Sequence, residues 1–438
     1  MGQNSAPDQN NEVSLNLPNQ TTVSKHDKRS GTFQDNMKLP IHRWFRYSAG
    51  FSAEWVTSVL RSFSLSPTQT VLDPFAGSGT VLLAADLAGI PSVGIEAHPF
   101  IFRIAKCKLR WDLDAARYQE QANKLIELAS HERVTIDSCP PLLRKCYDDE
   151  ALKSLLQLRS AWQKMSRSDE NELLWLTLTS ILRACSHSGT AQWQYVLPNK
   201  RKAKTVKPFD GFLAKVKLIA SDLFIAQATE NSPLSRIVNE DSRNCPSVGD
   251  SSIDAVVTSP PYANNYDYAD ATRLEMTFWG EISSWGELHG AVRKYLMCSS
   301  SQHASKEKFK LEDSLGDELI APIADELHEV CHKLAATRLN HGGKKHYHTM
   351  VARYFLDITK TLRELNRAGK PVCNMCWVVG DSAPYGIYVP VDEWIGRLAL
   401  ANGFTSYNFE KLRDRNIKWK NRKHRVPLHE GRLWISRE

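Results

Sequence analysis

From residue 41 onward the apolar positions alternate between helical and extended spacing. Ile41 to Phe63 is aromatic and amphipathic (Trp44, Phe45, Tyr47, Phe51, Trp55, Val59, Leu60) and runs to the turn signal Ser66-Pro67, which predicts a helix feeding a strand at Thr70-Val71-Leu72. After Gly79, positions Val81, Leu82, Leu83, Ala85, Leu87 and Ala88 are spaced as in a helix that closes at Gly89, and Ser92 to Glu96 is a second short strand. Helical periodicity dominates residues 112–230, notably Ala151 to Trp162 and Glu172 to Cys185, with a loop predicted at Ser186 to Asp210. Strands return at Arg236 to Asn239 and Ile253 to Thr258. A mostly helical stretch then runs to about 368, its last element at Tyr354 to Leu365. A strand fits Val372 to Gly380, a helix Val391 to Ala401, and two closing strands Phe404 to Lys411 and Gly431 to Ser436. Strands alternating with helices predict an α/β fold, a mostly parallel sheet covered on both faces, closed by an antiparallel hairpin.

Composition adds limits. The 438 residues, 42% hydrophobic and 24% charged, are ample for a large core and exclude wholesale disorder. Residues 1–38 are rich in Asn, Gln, Ser, Thr and Asp, show neither period, and are expected to be a disordered tail. No run approaches the length of a membrane span and Met1 to Pro40 lacks a signal-peptide core, so neither a membrane nor a secreted protein is expected. The 9 cysteines, an odd number without repeating spacing, predict reduced thiols in a cytoplasmic protein. Cys373 and Cys376 form a C-x-x-C without a partner pair and sit in an apolar strand pattern, and His341, His346 and His348 lie among lysines, so no metal site is expected.

The net charge of +7 is local. Lys411 to Pro427 holds eight Lys/Arg (411, 413, 415, 418, 420, 422, 423, 425) against Asp414, and the remaining charges of the chain cancel. A second patch, Lys200, Arg201, Lys202, Lys204 and Lys207, follows Trp193 and Tyr195. Basic runs interleaved with aromatics suit a polyanion, because phosphate contact releases condensed counterions and rings offer stacking surfaces; a solvated charged face is the plainer alternative.

Two strings carry the chemistry. The first, Asp73-Pro74-Phe75-Ala76-Gly77-Ser78-Gly79-Thr80, follows the first strand. Gly77 and Gly79 permit a tight turn and close approach of a ligand, and the helix starting near Thr80 aims its amides at the same place. It lacks the Gly-Lys-Ser/Thr of a P-loop and the third glycine of the dinucleotide fingerprint, where Leu82 stands. Glu96, 17 residues past Gly79 at the end of the second strand, can accept from both hydroxyls of a ribose, which points to an unphosphorylated nucleoside. The second string, Ser259-Pro260-Pro261-Tyr262, ends another apolar strand. Consecutive prolines lock φ and remove two donors, so the Ser259 hydroxyl and Pro260 carbonyl are fixed acceptors for the two hydrogens of an exocyclic amine, while Tyr262 can stack on the base bearing it.

These strings resemble motif I (D-P-F-x-G-S-G-T) and motif IV (S-P-P-Y) of the S-adenosylmethionine-dependent DNA amino-methyltransferases, with similarity over roughly residues 41 to 436. The resemblance implies a Rossmann-like methyltransferase fold with a seven-stranded sheet and helical insertions. It assigns Asp73, Phe75, Gly77 and Gly79, with Thr80 at the helix start, to the methionine and turn region of the S-adenosylmethionine site, Glu96 to the ribose, and Asp241 to the adenine amino group. Ser259, Pro260, Pro261 and Tyr262 take the catalytic positions, with Tyr266 and Tyr268 lining the same pocket or packing beneath it. The implied organisation is a tail (1–38), a cofactor-binding half (39–111), a helical insertion for target recognition (112–230), a catalytic segment (231–270), a mainly helical segment (271–368) and closing strands with the basic hairpin (369–438). Most enzymes with S-P-P-Y place the catalytic motif first, whereas here Gly79 precedes Ser259 by 180 residues.

Ser in the first place of the tetrapeptide favours cytosine N4 as the target in this family, with Asp or Asn more usual for adenine N6. The predicted reaction is therefore direct methyl transfer to cytosine N4 in double-stranded DNA after base flipping. Adenine N6 on the same scaffold is the alternative. Guanine-N2 methylation of RNA is a weaker one, because those enzymes share motif I but usually carry Asp before Pro-Pro-Tyr. Cytosine C5 methylation needs a Pro-Cys nucleophile, and no proline here precedes Cys. The expected setting is the cytoplasm, with the protein bound to DNA of the nucleoid and a cognate restriction endonuclease as a second partner in a restriction-modification pair.

Overall fold

The structure, a computed structural model, describes residues 33–191, 194–228, 232–264, 267–306, 310–342, 345–415 and 426–438. Short apolar runs build the sheet. Strands β1 (Val71–Asp73), β2 (Ser92–Ile95), β3 (Ser188–Thr190), β4 (Val196–Arg201), β5 (Arg236–Val238), β6 (Ile253–Thr258), β7 (Gly369–Gly380), β8 (Ser406–Arg415) and β9 (Leu428–Arg437) fall into two sheets. The large one has the order β5-β2-β1-β6-β7-β9-β8. Its first five strands run parallel, and β9 runs against both β7 and β8. Every residue of β1 and β2 is buried, including the polar Asp73 and Ser92 at their ends, so neither strand shows the alternation of a half-exposed sheet. The chain moves outward from β1 in one direction to β2 and β5, then returns to β6 on the other side. That reversal opens a crevice at the carboxyl ends of β1 and β6, the place where open α/β sheets bind ligands.

Helices cover both faces. On one, α1 (Ala53–Phe63) and α2 (Thr80–Leu87) bury Trp55, Val59, Val81 and Ala85 against Val71, Val257 and Val378. On the other, helices Tyr347–Ala368 and Val391–Ala401 bury Phe355, Leu362, Trp394 and Leu398 against Leu72, Val256 and Trp377. Next to β2, α3 (Pro99–Lys108) opens a separate helical layer of α4 (Ala115–His131), α5 (Pro141–Cys146), α6 (Asp149–Lys164), α7 (Asp169–Cys185) and α8 (Pro208–Gln227), packed around the fully buried Trp111, Tyr118 and Trp175. Asp114, Asp148 and Ser168 cap α4, α6 and α7 by accepting from backbone amides of the first turn. All nine cysteines are free thiols, and Cys373 and Cys376 are buried within β7, as the apolar strand pattern around them implied. Among the described residues no helix is long and apolar enough to cross a membrane.

The structure departs from the periodicity in five places. The helix expected over Ile41 to Phe63 is a 3-10 turn at His42–Trp44, an irregular passage, and α1 only from Ala53, capped by Ser52. Tertiary partners break it up: Asp222 of α8 accepts from the Ile41 amide at 3.1 Å and the Trp44 indole at 3.0 Å, and pairs with the Arg43 guanidinium. Residues 33–38, read as the end of the tail, are packed, with Phe33 buried and the Asn36 side chain bonded to Phe51 O and Ala53 N. The loop expected over Ser186 to Asp210 contains the β3–β4 hairpin. The last helix before β7 starts at Tyr347 rather than Tyr354, and the closing strands β8 and β9 reach farther toward the hairpin tip than the expected ends at Lys411 and Gly431.

Asp222 lies fully buried under those three donors. Asp222→Ala is expected to cost about 3 kcal/mol, because donors and a guanidinium lose their buried acceptor. Urea unfolding measures this, and a loss below about 1 kcal/mol would mean the segment is held by apolar packing alone.

Candidate functional site

β1 ends at Asp73, and the chain turns into α2 through Gly77 (φ 52°) and Gly79 (φ 85°), left-handed conformations that glycine adopts without strain. A side chain at Gly77 would stand 3.1 Å from the ring of Tyr47, which walls this turn. No side chain caps α2, so the amides of its first turn remain open at the crevice. Thr80 is buried at the start of that turn, and Phe75 packs, half-buried, against the sheet. The buried Ser78 hydroxyl and Asp73 Oδ2 have no hydrogen-bond partner. Glu96, just past β2, accepts from the Gly77 amide at 2.8 Å and the His98 amide at 2.7 Å, which binds the glycine turn to the second strand. Burial raises the Glu96 carboxyl to about 7, against the pull of those two amides.

The second loop leaves β6. Ser259 donates its hydroxyl hydrogen to Val378 O at 3.1 Å, so the oxygen faces its surroundings as an acceptor. Pro260 is buried and Pro261 partly so, and among the described residues nothing donates to the Pro260 carbonyl. The half-buried Tyr262 ring has the Arg415 guanidinium 5.0 Å from its centroid, and its phenol reaches the Ser259 side chain. Burial pushes the Tyr262 phenol well above its ordinary range, so the ring is a neutral surface at working pH.

Three contacts join the loops. Thr258, immediately before Ser259, donates to Asp73 Oδ1 at 2.6 Å, and the Phe75 amide donates to the same oxygen at 3.0 Å. The His98 ring lies 3.0 Å from the Thr272 hydroxyl, at the junction of α9 (Tyr268–Ala271) and α10 (Arg273–Trp279). Tyr268 accepts from the Tyr262 amide and lies close enough to Glu96 and Tyr47 for their charges to act on one another. The glycine turn and Tyr262 therefore share one rim. Tyr268, undecided from the sequence, belongs to that rim, while Tyr266 lies outside the described residues.

Asp241 lies three residues past the end of β5, and its carboxylate is taken up by Arg243, whose backbone amide donates to Oδ1 and whose Nε lies 2.9 Å from both oxygens. Thr258, Tyr47, His98 and Arg415 were missed. Thr258 could have been read from its place before the tetrapeptide, whereas Tyr47 arrives from a distant segment with no local signal and Arg415 was read only as part of the basic run.

The helical layer reaches the rim through β3–β4. Gln194 donates to Arg46 O and accepts from the Ser48 amide beside Tyr47; Tyr195 accepts from the Asp267 amide at 2.6 Å, just before α9. Arg183 of α7 bonds Glu275 and Ala271 O, and the buried Arg293 grips Asp267. Lys200, Arg201, Lys204 and Lys207 are exposed on or just beyond this hairpin, and Lys202 turns inward to Arg183 O. Trp193 and Lys418, Lys420, Arg422, Lys423 and Arg425 lie outside the described residues.

Sheet order and the two apposed loops define a Rossmann-like methyltransferase. A family model described as DNA methylase, for the N6/N4 type, matches residues 5–107. The chain is 28% identical to the type II methyltransferase M.BsoBI of Geobacillus stearothermophilus over 435 residues, covering 88% of this chain and 82% of the relative. It is 25% identical to the type II methyltransferase M.AvaI of Nostoc sp. over 415 residues, covering 87% and 82%, and 20% identical to M.MvaI of Kocuria varians over 412 residues, covering 89% and 86%. These similarities, over most of the chain, support a DNA amino-methyltransferase of the N4/N6 type.

Burial raises the Asp73 carboxyl from 3.8 to about 7, despite the bonds from Thr258 and Phe75 that pull it down. A carboxyl raised on folding stabilises the fold fully below its unfolded value, and that contribution is lost as pH rises through the folded one. Asp73→Asn is therefore expected to gain in melting temperature relative to the parent between about pH 5 and pH 8. A pH-independent difference would show that Asp73 is ionised throughout.

Proposed function

We propose that the protein transfers a methyl group from S-adenosylmethionine to the exocyclic N4 amine of cytosine in duplex DNA, directly and after base flipping. The observation that carries this reading is the shared rim, where the Asp73 to Thr258 bond sets the glycine turn beside the Ser259 to Tyr262 loop. The residues present suit the cofactor. Glu96 offers carboxylate lone pairs beside a turn where Gly77 keeps the space against Tyr47 free of a side chain, and Asp73 Oδ2 and the Ser78 hydroxyl are buried polar atoms awaiting partners. Asp241, held by Arg243, has only its spare lone pairs for an adenine amine. When bound, S-adenosylmethionine supplies an activated methyl on a sulfonium.

The chain's own part is orientation. An exocyclic amine is a poor nucleophile because its lone pair is delocalised into the ring. Ser259 Oγ, its hydrogen committed to Val378 O, and the Pro260 carbonyl can accept both amine hydrogens, which favours a pyramidal nitrogen with its lone pair directed at the cofactor side of the rim. Tyr262 offers the extruded base a ring to stack on. Serine at position 259 favours cytosine over adenine. The exposed cations of the β3–β4 hairpin, tied to the catalytic loop by Tyr195, suit the DNA backbone.

Nucleoside analysis of DNA treated with the purified enzyme tests the proposal. N4-methylcytosine is expected, and N6-methyladenine without it would overturn the choice of base. Ser259→Ala and Tyr262→Ala are each expected to lower kcat at least about a hundredfold while cofactor affinity stays within about twofold. Equal loss of cofactor binding, measured by calorimetry, would show that the tetrapeptide is misplaced.

A further inference from the structure

Arg415 is the last described residue of β8 and touches the catalytic tyrosine from outside both motifs. Between Lys411 and Arg413 the pairing of β8 with β9 shifts register: Lys411 opposes Gly431 and Arg413 opposes Glu430, leaving Leu412 as the extra, buried residue. Such a bulge re-aims the side chains beyond it. Directly opposed residues share a face, so Arg413 and Arg415 stand on the face that carries Glu430. Arg413 reaches Glu430 at 2.7 Å. Arg415, with its side chain 19% exposed, has Nε 4.0 Å from Glu430 and donates from a terminal nitrogen to Asp381 O at 2.8 Å, while its guanidinium lies 5.0 Å from the Tyr262 centroid. Gly380 makes the contact sterically feasible, because a side chain there would sit 2.6 Å from the guanidinium and 3.1 Å from the Tyr262 ring.

Resting on the reading of Tyr262 as the base-stacking residue, we propose that Arg415 is a positioning residue for methyl transfer. Its guanidinium closes one side of the Tyr262 ring and stops the ring turning, so that the remaining face receives the extruded base. Asp381 and Glu430 hold the guanidinium in turn, from two different strand ends. A planar fork can donate to a carbonyl and lie against a ring together, and an ammonium cannot do both in one place.

The test uses the full-length enzyme with duplex DNA. Arg415→Ala is expected to lower kcat about tenfold with cofactor affinity within twofold, and Arg415→Lys to recover only part of it, the scale of a partly desolvated cation–π contact. Unchanged kcat, or a parallel loss of cofactor affinity and melting temperature, would overturn the proposal. So would a fall of about one in the salt slope of DNA binding with kcat preserved, the mark of a phosphate contact instead. A second readout needs no turnover. With 3-fluorotyrosine incorporated, the fluorine resonance assigned to residue 262 by its loss in Tyr262→Phe should move in Arg415→Ala without DNA. A resonance that stays put removes the contact and the proposal with it. Retained turnover in Ser259→Ala and Tyr262→Ala would sink the catalytic reading and this proposal with it, whereas impaired turnover in those two variants with Arg415→Ala unchanged would sink the proposal alone.

Discussion

The site depends on a hydrogen bond that neither motif contains whole. Thr258 ends one strand and Asp73 ends its neighbour, and the 2.6 Å bond between them crosses 185 positions of sequence inside a dry core. β1 and β6 pair in parallel only through Val71 and Leu72, so the strand ladder alone leaves their carboxyl ends free to splay. The buried side-chain bond closes that gap and fixes how far the glycine turn stands from the proline loop. One acceptor oxygen takes Thr258 from one side and the Phe75 amide from the other, which couples the shape of the turn to the position of the loop.

The arrangement has a cost in electrostatics. Asp73 and Glu96 are two carboxyls short of water and both shifted toward neutrality, by burial first and, for Glu96, by the charge of Asp73 as well. A fold selected for stability alone would place Asn or an apolar residue at one of them. Their retention at a site where a polar ligand is expected fits the general pattern in which binding sites are locally destabilised and become satisfied on occupation. The orphaned Ser78 hydroxyl and Asp73 Oδ2 have the same character.

Most of the α/β framework was legible because buried parallel strands write themselves as short apolar runs. Ile253 to Thr258 and Val391 to Ala401 are bounded in the structure as their residues suggested. What failed was local periodicity under tertiary competition. The aromatic segment from Ile41 has helical spacing, yet Asp222, Gln194 and Gly77 each capture a piece of it and pull it out of register with any single helix. Within the site, residues contiguous with a motif could be read: Ser259, Tyr262, Gly77 and Glu96 stand at the rim. Asp241, inferred from its place after a strand, could not be checked against Arg243, because an ion pair across two positions leaves no mark that distinguishes it from a ligand contact. Tyr47 and Arg415 needed the topology before they could be placed at all.

The helical layer enters the domain after α3 and leaves it at β5, so it hangs between two strands that are neighbours in the sheet. An element attached in this way looks exchangeable as a cassette. Its contacts say otherwise: Arg183 on Glu275, Tyr195 on Asp267 and Gln194 on the 46–48 passage run from the layer to segments flanking the two apposed loops. Grafting a foreign module into that gap would leave the buried Glu275 without its guanidinium and free the 46–48 passage and Asp267, so any exchange of the layer has to keep these three anchors or replace them together.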